Sequence, residues 1–124
     1  MNNQDVVIVS GARTPIARYG GTLKDINSGF LASHVIKEVM DRANISPEQV
    51  DEVILGEVRQ TTESSNVARV AALRAGIPDS RPAFTINRLC ASGMQAIASA
   101  VQQIRSNQAE IVVAGGAESA QMGQ

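Results

Sequence analysis

The sequence predicts an α/β domain with a mostly parallel sheet and helices on both of its faces. Short apolar, β-branched runs, such as residues 6–9 and 53–55, have the composition of strands that are buried within a parallel sheet. Segments with apolar residues at helical spacing separate these runs. The resulting order is βαβαβαβ, which is typical of parallel strands joined by right-handed helical crossovers.

The first half of the chain holds two predicted strands and one long helix. Residues 6–9 form the first strand, and the apolar positions within residues 28–42 recur as in an amphipathic helix. The run Ser-Pro-Glu-Gln at 46–49 combines a capping box with proline at the first helical position, so it predicts one short helical turn. Residues 50–58 hold the second strand.

The second half continues the alternation with two helices and two strands. Residues 66–75 are predicted to be helical, and Gly76 and Pro78 end that helix. The third strand spans residues 83–87, and the third long helix spans residues 89–104. The fourth strand, residues 110–114, runs into a pair of glycines. No internal repeat or low-complexity linker interrupts this pattern.

Composition excludes several classes of protein. The 124 residues are 44% hydrophobic and 19% charged, with a formal net charge of -1, which gives no basic surface for nucleic acid. No apolar run is long enough to span a bilayer. The first five residues are polar and acidic rather than basic and then apolar, so they do not resemble a signal peptide. We therefore expect a cytoplasmic protein with no nucleic-acid or membrane partner.

The chain has one cysteine and one histidine, Cys90 and His34. A single cysteine excludes an intrachain disulfide, and this pair cannot supply a Cys/His zinc site. No metal site is therefore predicted, and a free thiol is left to explain. Free cysteines are most often small buried apolar residues, so the surroundings of Cys90 decide between a structural and a chemical role.

Cys90 lies where the third strand turns into the third long helix. Unpaired backbone N–H groups and the positive end of the helix dipole favour an anion at that position, and the same N–H groups can donate to an oxyanion. Such a place suits a covalent nucleophile. Gly93 allows a ligand or a facing backbone to approach closely. Asn87 either bonds within the loop or caps the helix.

The third long helix carries no charged residue from Leu89 to Ile104. A surface helix normally has a charged outer stripe, so we expect this helix to be covered on both sides. One sheet covers only one side, and the second cover must come from another domain or subunit. The sequence also stops at Gln124 without a closing helix or strand after the fourth strand, so we expect the functional unit to be larger.

The string Ile-Asn-Arg-Leu-Cys-Ala-Ser-Gly-Met-Gln-Ala-Ile, residues 86–97, resembles the acyl-enzyme signature of the thiolase family. Other segments match that family in the expected order. They are the opening Arg-Thr-Pro turn at 13–15, Asn-Val-Ala-Arg at 66–69, Ala-Gly-Ile-Pro at 75–78 and Gly-Gly-Ala-Glu-Ser at 115–119. The resemblance covers nearly all of this chain but only the opening part of a typical thiolase.

The resemblance implies an acetyl-CoA C-acetyltransferase that interconverts two acetyl-CoA with acetoacetyl-CoA and CoA. Cys90 would become S-acylated, with its own backbone N–H directed at the oxyanion and with Asn87, Ser92 and Gly93 in support. CoA thioesters would be the substrates, and no other cofactor would be needed. Residues 1–124 would form an N-terminal domain whose C-terminal half is absent. The implied strand order is 3-2-1-4, with homodimers or tetramers formed near the third strand.

The remaining catalytic motifs of the family lie downstream of this region, and none occurs in the sequence. His34 falls in the middle of the first helix and matches no catalytic position, so a structural or exposed role is expected. We therefore expect no full turnover and weak CoA affinity from this chain alone. Two alternatives stay open: a ketoacyl synthase-like enzyme, and a non-catalytic fragment that serves dimerisation.

Overall fold

The computed structural model describes residues 5–16, 21 and 26–119, which include the Arg-Thr-Pro turn at 13–15. Three helices and three strands alternate along the described part of the chain, with a short 3₁₀ turn between α1 and β1. The elements are α1 (Ser28–Ala43), the 3₁₀ turn (Pro47–Gln49), β1 (Glu52–Gly56), α2 (Val67–Arg74), β2 (Ala83–Ile86), α3 (Ser92–Arg105) and β3 (Val112–Gly116).

The three strands form a parallel sheet in the order β2-β1-β3. Ile54 lies at the centre of this sheet, opposite Phe84 of β2 and Ala114 of β3. Strands β1, β2 and β3 correspond to the predicted second, third and fourth strands. The predicted α/β class and the parallel pairing are therefore confirmed. The predicted order 3-2-1-4 is not, because the second strand pairs directly with the fourth.

Residues 6–9 do not form the predicted first strand. They line a cavity of about 340 Å³ together with residues of α1, α3 and β3. The side chain of Ile8 is 82% exposed. Because β1 already pairs with neighbours on both of its edges, no place for another strand remains beside it. A β-branched run favours an extended backbone, but it does not choose its partner.

Helices pack on both faces of the sheet, as predicted. Val53 and Leu55 of β1 point toward α1 and α2, whose buried faces contribute Ile36, Met40 and Ala71 to the larger core. Ile54 points the other way and packs against Ala96 and Ala100 of α3. This division follows from the alternation of side chains along a strand. The small alanines allow α3 to lie close to the sheet.

The helix ends follow from local sequence. The Asn27 side chain accepts a hydrogen bond from the Phe30 N–H at 2.8 Å, and this caps the start of α1. At the other end of α1, Asn44 adopts a left-handed backbone with φ 57°. Gly76, with φ 90°, follows the end of α2, as the sequence predicts. The Gln49 side chain accepts from the Ser46 N–H at 2.8 Å, which is half of the predicted capping box.

Side chains also fix the end of the sheet at which β1 and β3 begin. The Asp51 carboxylate accepts hydrogen bonds from the N–H groups of Glu110 and Ile111, at 2.7 and 3.0 Å. These two bonds are the main reason why the pKa of Asp51 is lowered. They tie the start of β1 to the approach to β3. Among the residues described, no helix combines the length and the apolar character that crossing a membrane requires.

Candidate active site

Cys90 lies in the loop between β2 and α3, two residues before the first residue of α3. The cysteine is exposed, and it is a free thiol. Ala91 occupies the N-cap position of α3 and offers no side chain that could cap the helix. The first turn of a helix presents backbone N–H groups without intrahelical partners, and these attract anions. In α3 the N–H groups of Ala91 and Ser92 already donate to the Arg88 and Leu89 carbonyls, both at 3.1 Å, so anion binding would fall to N–H groups farther into the turn. The structure thus places Cys90 at the strand-to-helix junction that the sequence predicts.

Two polar side chains hold the backbone around Cys90. The Asn87 Oδ1 atom accepts from the Leu89 N–H at 2.9 Å, and its Nδ2 atom donates to the Val58 carbonyl at 3.2 Å. The Ser92 hydroxyl accepts from the Arg88 N–H at 2.8 Å and donates to the Leu89 carbonyl at 2.6 Å. Of the two roles predicted for Asn87, the structure shows bonding within the loop rather than capping of α3.

Leu89, the residue before Cys90, has a left-handed backbone with φ 52°. The other described non-glycine residues with positive φ are all asparagines, which tolerate this conformation far better than leucine does. The hydrogen bonds from Asn87 and Ser92 both end on Leu89, at its N–H and its carbonyl. These bonds stabilise a backbone turn that leucine would not adopt alone. Sequence reasoning missed this turn.

The start of α3 packs directly on the end of β1. A Cβ atom at Gly56 would lie 2.5 Å from the carbonyl carbon of Ser92 and 2.8 Å from the nitrogen of Gly93. Beside Gly93 itself, by contrast, a Cβ atom would meet no atom of the described residues within 4 Å. The close backbone approach that the sequence suggests at Gly93 therefore depends on Gly56. Gly93 faces open space, which leaves room for a ligand.

The segment after β1 links the Cys90 loop to the segment after β3. Glu118 accepts from the N–H groups of Val58 and Arg59 at 2.9 and 3.1 Å. The Ser119 hydroxyl donates to the Ile26 carbonyl at 3.2 Å, just before α1. Glu118 and Ser119 thus fix loops. The Val58 carbonyl carries the connection onward to Asn87.

Glu57 is a buried acid that sequence analysis did not single out. Its side chain is 1% exposed, and neither carboxylate oxygen has a hydrogen-bond partner among the described residues. Burial raises the pKa of Glu57 above its ordinary value of 4.5, the Ser28 hydroxyl lowers this pKa, and the Glu118 carboxylate raises it. Ser28 is near enough to act on the pKa, but its hydroxyl does not reach hydrogen-bond geometry.

Two other predictions concern the surroundings of the thiol. His34 is exposed on α1, with its ring edge-on to Phe30 at a centroid distance of 4.9 Å, which agrees with the exposed position predicted for it. On α3, Met94 is 78% exposed and Ile97 is also exposed. The outer face of this helix, which carries no charge before Arg105 at its end, is therefore open in the chain by itself. A second cover for α3 remains a prediction.

These features define a class of domain: a parallel α/β fold that presents a free thiol at the start of a helix packed on the sheet. The sequence of residues 6–124 matches the family described as Thiolase, N-terminal domain. The chain belongs to the thiolase family.

Named relatives agree with that assignment. An acetyl-CoA acetyltransferase of Cupriavidus necator is 49% identical over 114 residues, which is 92% of this chain and 29% of that protein. One from Syntrophomonas wolfei is 47% identical, over 93% of this chain and 29% of its own length. The crystal structure of the Bacillus anthracis acetyl-CoA acetyltransferase is 49% identical and superimposes with a TM-score of 0.85, covering 89% of this chain and 28% of that one. The chain thus spans under a third of these relatives.

Proposed function

We propose that the chain is the N-terminal domain, residues 1–124, of a thiolase-type acetyl-CoA C-acetyltransferase and that Cys90 is its acyl-accepting nucleophile. The observation that carries this proposal is the position of Cys90. Its thiol is exposed at the N-terminal end of α3, within the string that resembles the thiolase acyl-enzyme signature. The relatives named acetyl-CoA acetyltransferase support the choice of acetyl-CoA as the substrate.

The proposed half-reaction is transfer of an acetyl group from CoA to the cysteine. The Cys90 sulfur attacks the thioester carbonyl carbon, a new C–S bond forms, and the bond from that carbon to the CoA sulfur breaks. The proton released by the thiol ends on the departing CoA sulfur, so atoms and charge balance. Backbone N–H groups at the start of α3, with that of Cys90 itself, would stabilise the oxyanion of the tetrahedral intermediate.

Asn87, Ser92 and Gly93 would support this step in different ways. Asn87 and Ser92 hold the backbone that precedes the thiol. The open space beside Gly93 would admit the thioester. The proposed reaction uses CoA thioesters as substrates and requires no further cofactor or metal, and we place it in the cytoplasm.

We further propose that this chain alone carries out the acylation half and not the full reaction. Condensation requires a group that removes a proton from a second acetyl-CoA. The only histidine of this chain, His34, lies on α1 beside Phe30. General-base catalysis requires contact with the proton to be removed. The second half of the cycle would therefore depend on residues outside these 124.

The acylation proposal is tested by incubating the chain with acetyl-CoA and measuring its intact mass. We expect a gain of about 42 Da, which is one acetyl group in place of the thiol hydrogen, and no gain in Cys90→Ser. Ser99→Ala changes a serine farther along α3 and is the control: this substitution on the same helix should leave the gain in mass unchanged. No acetoacetyl-CoA should accumulate.

Two other outcomes would replace this proposal. Acetylation by an acetylated carrier protein but not by acetyl-CoA would favour the ketoacyl synthase-like enzyme. A chain that folds and accepts no acetyl group from either donor would favour the non-catalytic fragment.

We also propose that the chain forms a homodimer or tetramer through the free edge of β2. In the order β2-β1-β3 of the described strands, this strand pairs on one edge and leaves the other free, and Phe84 on it is 37% exposed. Unpaired edges favour strand pairing between chains, and charged residues suppress it.

We expect light scattering to give a multiple of the 13.1 kDa chain mass and Phe84→Lys to give the monomer. Leu73→Lys, at an exposed apolar position on α2, should leave the oligomer intact, and a monomeric wild-type chain would refute this proposal.

A further inference from the structure

Glu57 combines complete burial with a lack of hydrogen-bond partners. It directly follows the last residue of β1, and the alternation of side chains directs it to the same side of the sheet as Val53 and Leu55, toward α1 and α2. Within the described part of the chain, both of its carboxylate oxygens and the buried hydroxyl of Ser28, the first residue of α1, are without hydrogen-bond partners. An ionised carboxylate in that position would have lost its hydration without replacement.

Among the described residues, the charge that acts on Glu57 does not stabilise its anion. The Glu118 carboxylate repels a negative charge on Glu57, while Glu118 is itself held by the backbone N–H groups of residues 58 and 59. The first turns of α1 and α2 carry no acidic residue. The N-terminal end of α1 favours an anion through its dipole, and the Ser28 hydroxyl acts in the same direction. Burial outweighs both, since it is the largest influence on this carboxyl group.

Glu57 also lies between two restraints on the candidate active site. On one side of it, Gly56 packs against the backbone of Ser92. On the other side, the Val58 carbonyl accepts the hydrogen bond from Asn87, which in turn binds the Leu89 N–H. A movement of Glu57 toward solvent would displace its covalent neighbour Val58. The hydrogen bond to Asn87 would be lost, and with it a support of the Cys90 loop.

We propose that Glu57 is a neutral carboxylic acid in the folded chain and acts as a proton-operated latch on the Cys90 loop. With its proton, Glu57 stays buried beneath α1 and holds residues 56–59 against the start of α3. When the proton is lost, the carboxylate moves toward water and the loop loosens. The protonation of Glu57 rests on its burial, its missing hydrogen bonds and the nearby Glu118 carboxylate, while the relevance of the latch to acyl transfer rests on the proposed function of Cys90.

The sign of the pH dependence follows from proton binding. Because the carboxyl holds its proton more tightly in the folded than in the unfolded chain, the folded chain binds more protons above the ordinary Glu pKa of 4.5. Stability contributed by this group is then complete below 4.5 and falls as the pH rises toward the higher folded value. Glu57→Gln keeps the shape of the neutral acid and cannot ionise, so this fall should be absent.

The experiment compares thermal unfolding of the wild type and Glu57→Gln from about pH 4 to about pH 8. We expect equal Tm values at the acidic end and a Tm about 5 °C higher for Glu57→Gln at the alkaline end. Glu52→Gln is the matched control, because Glu52 is also buried on β1 but accepts a hydrogen bond from Gln103 at 2.6 Å. That control should not become more stable than the wild type. A lower Tm for Glu57→Gln at the alkaline end would refute the neutral acid.

The latch is tested separately by the rate at which iodoacetamide alkylates Cys90. At each pH, the alkylation rate of Glu57→Gln is divided by that of the wild type. The direct effect of pH on the reactivity of the thiol is common to both proteins and drops out of this ratio. We expect this ratio to depart from one by about threefold as the wild-type carboxyl ionises. A constant ratio would refute the latch, whether or not Cys90 accepts an acetyl group. Titration of the Glu57 carboxyl by carbon NMR in the wild type decides its protonation even if the variant does not fold.

Discussion

Replacing Gly56 by alanine is expected to destabilise the chain by about 3 kcal/mol. The added Cβ atom would lie 2.5 Å from the carbonyl carbon of Ser92 and 2.6 Å from its oxygen. These are backbone atoms, which cannot rotate away as a flexible side chain would. The N-terminal end of α3 would therefore have to move off the sheet, and the contacts of Ile54 with Ala96 would weaken. Urea unfolding measures the loss.

Gly115→Ala is the control for this prediction. Gly115 lies opposite Leu55, on the strand next to β1, and an added Cβ atom would meet only the Leu55 Cδ2 atom, at 3.8 Å. That is an ordinary contact, so the free energy of unfolding should change by less than about 1 kcal/mol. Equal stabilities for the Gly56 and Gly115 variants would contradict the close packing of α3 on β1.

The sequence predicted correctly the elements that depend on residues close to one another in the chain, or whose residue pattern is compatible with one kind of secondary structure. The helical spacing of residues 28–42 matches α1, Ser28–Ala43. The junction that carries Cys90 also lies where it was predicted, because a strand pattern that gives way to a helical one fixes such a point in the chain. Bonding of Asn87 within the loop was one of the two roles that its place beside this junction suggested.

Elements whose role depends on distant partners were not predicted correctly. The run at 6–9 has a strand composition, yet the edge of β1 that it was expected to occupy is taken by β3. Composition describes what a segment prefers, whereas pairing is decided by all segments together. The loop at Leu89 was missed for a related reason. A leucine gives no sign of a positive φ, and the stabilising bonds come from Asn87 and Ser92.

The burial of Glu57 could not have been anticipated from the alternating pattern of β1. Glu52 and Glu57 flank the apolar centre of the strand, which is where solvent-exposed ends are normally expected. Both are buried, on opposite sides of the sheet. Glu52 accepts a hydrogen bond from Gln103 on α3, and Glu57 has no hydrogen-bond partner in the part of the chain that the structure describes. The difference arises from what α1 and α3 place opposite each side chain, which a single sequence does not reveal.

Replacing Ser92 by alanine is expected to slow alkylation of Cys90 by about tenfold at neutral pH. The Ser92 hydroxyl accepts from the Arg88 N–H and donates to the Leu89 carbonyl, so alanine removes both bonds at once. The left-handed backbone of Leu89 is unfavourable by an amount that corresponds to about tenfold in population. Without these bonds the loop should leave that conformation, and the thiol should leave its place beside the first turn of α3.

Three further variants separate this effect from a general loss of structure. Ser92→Thr keeps the hydroxyl and should restore most of the rate. Ser99→Ala removes a hydroxyl that accepts from the Gln95 side chain, at 3.1 Å, and should leave the rate unchanged. The addition of Leu89→Gly to Ser92→Ala should recover part of the rate, because glycine adopts a positive φ without strain. Recovery would show that Ser92 acts through the backbone of Leu89, whereas a rate that stays low would assign its effect to the packing of α3 on Gly56.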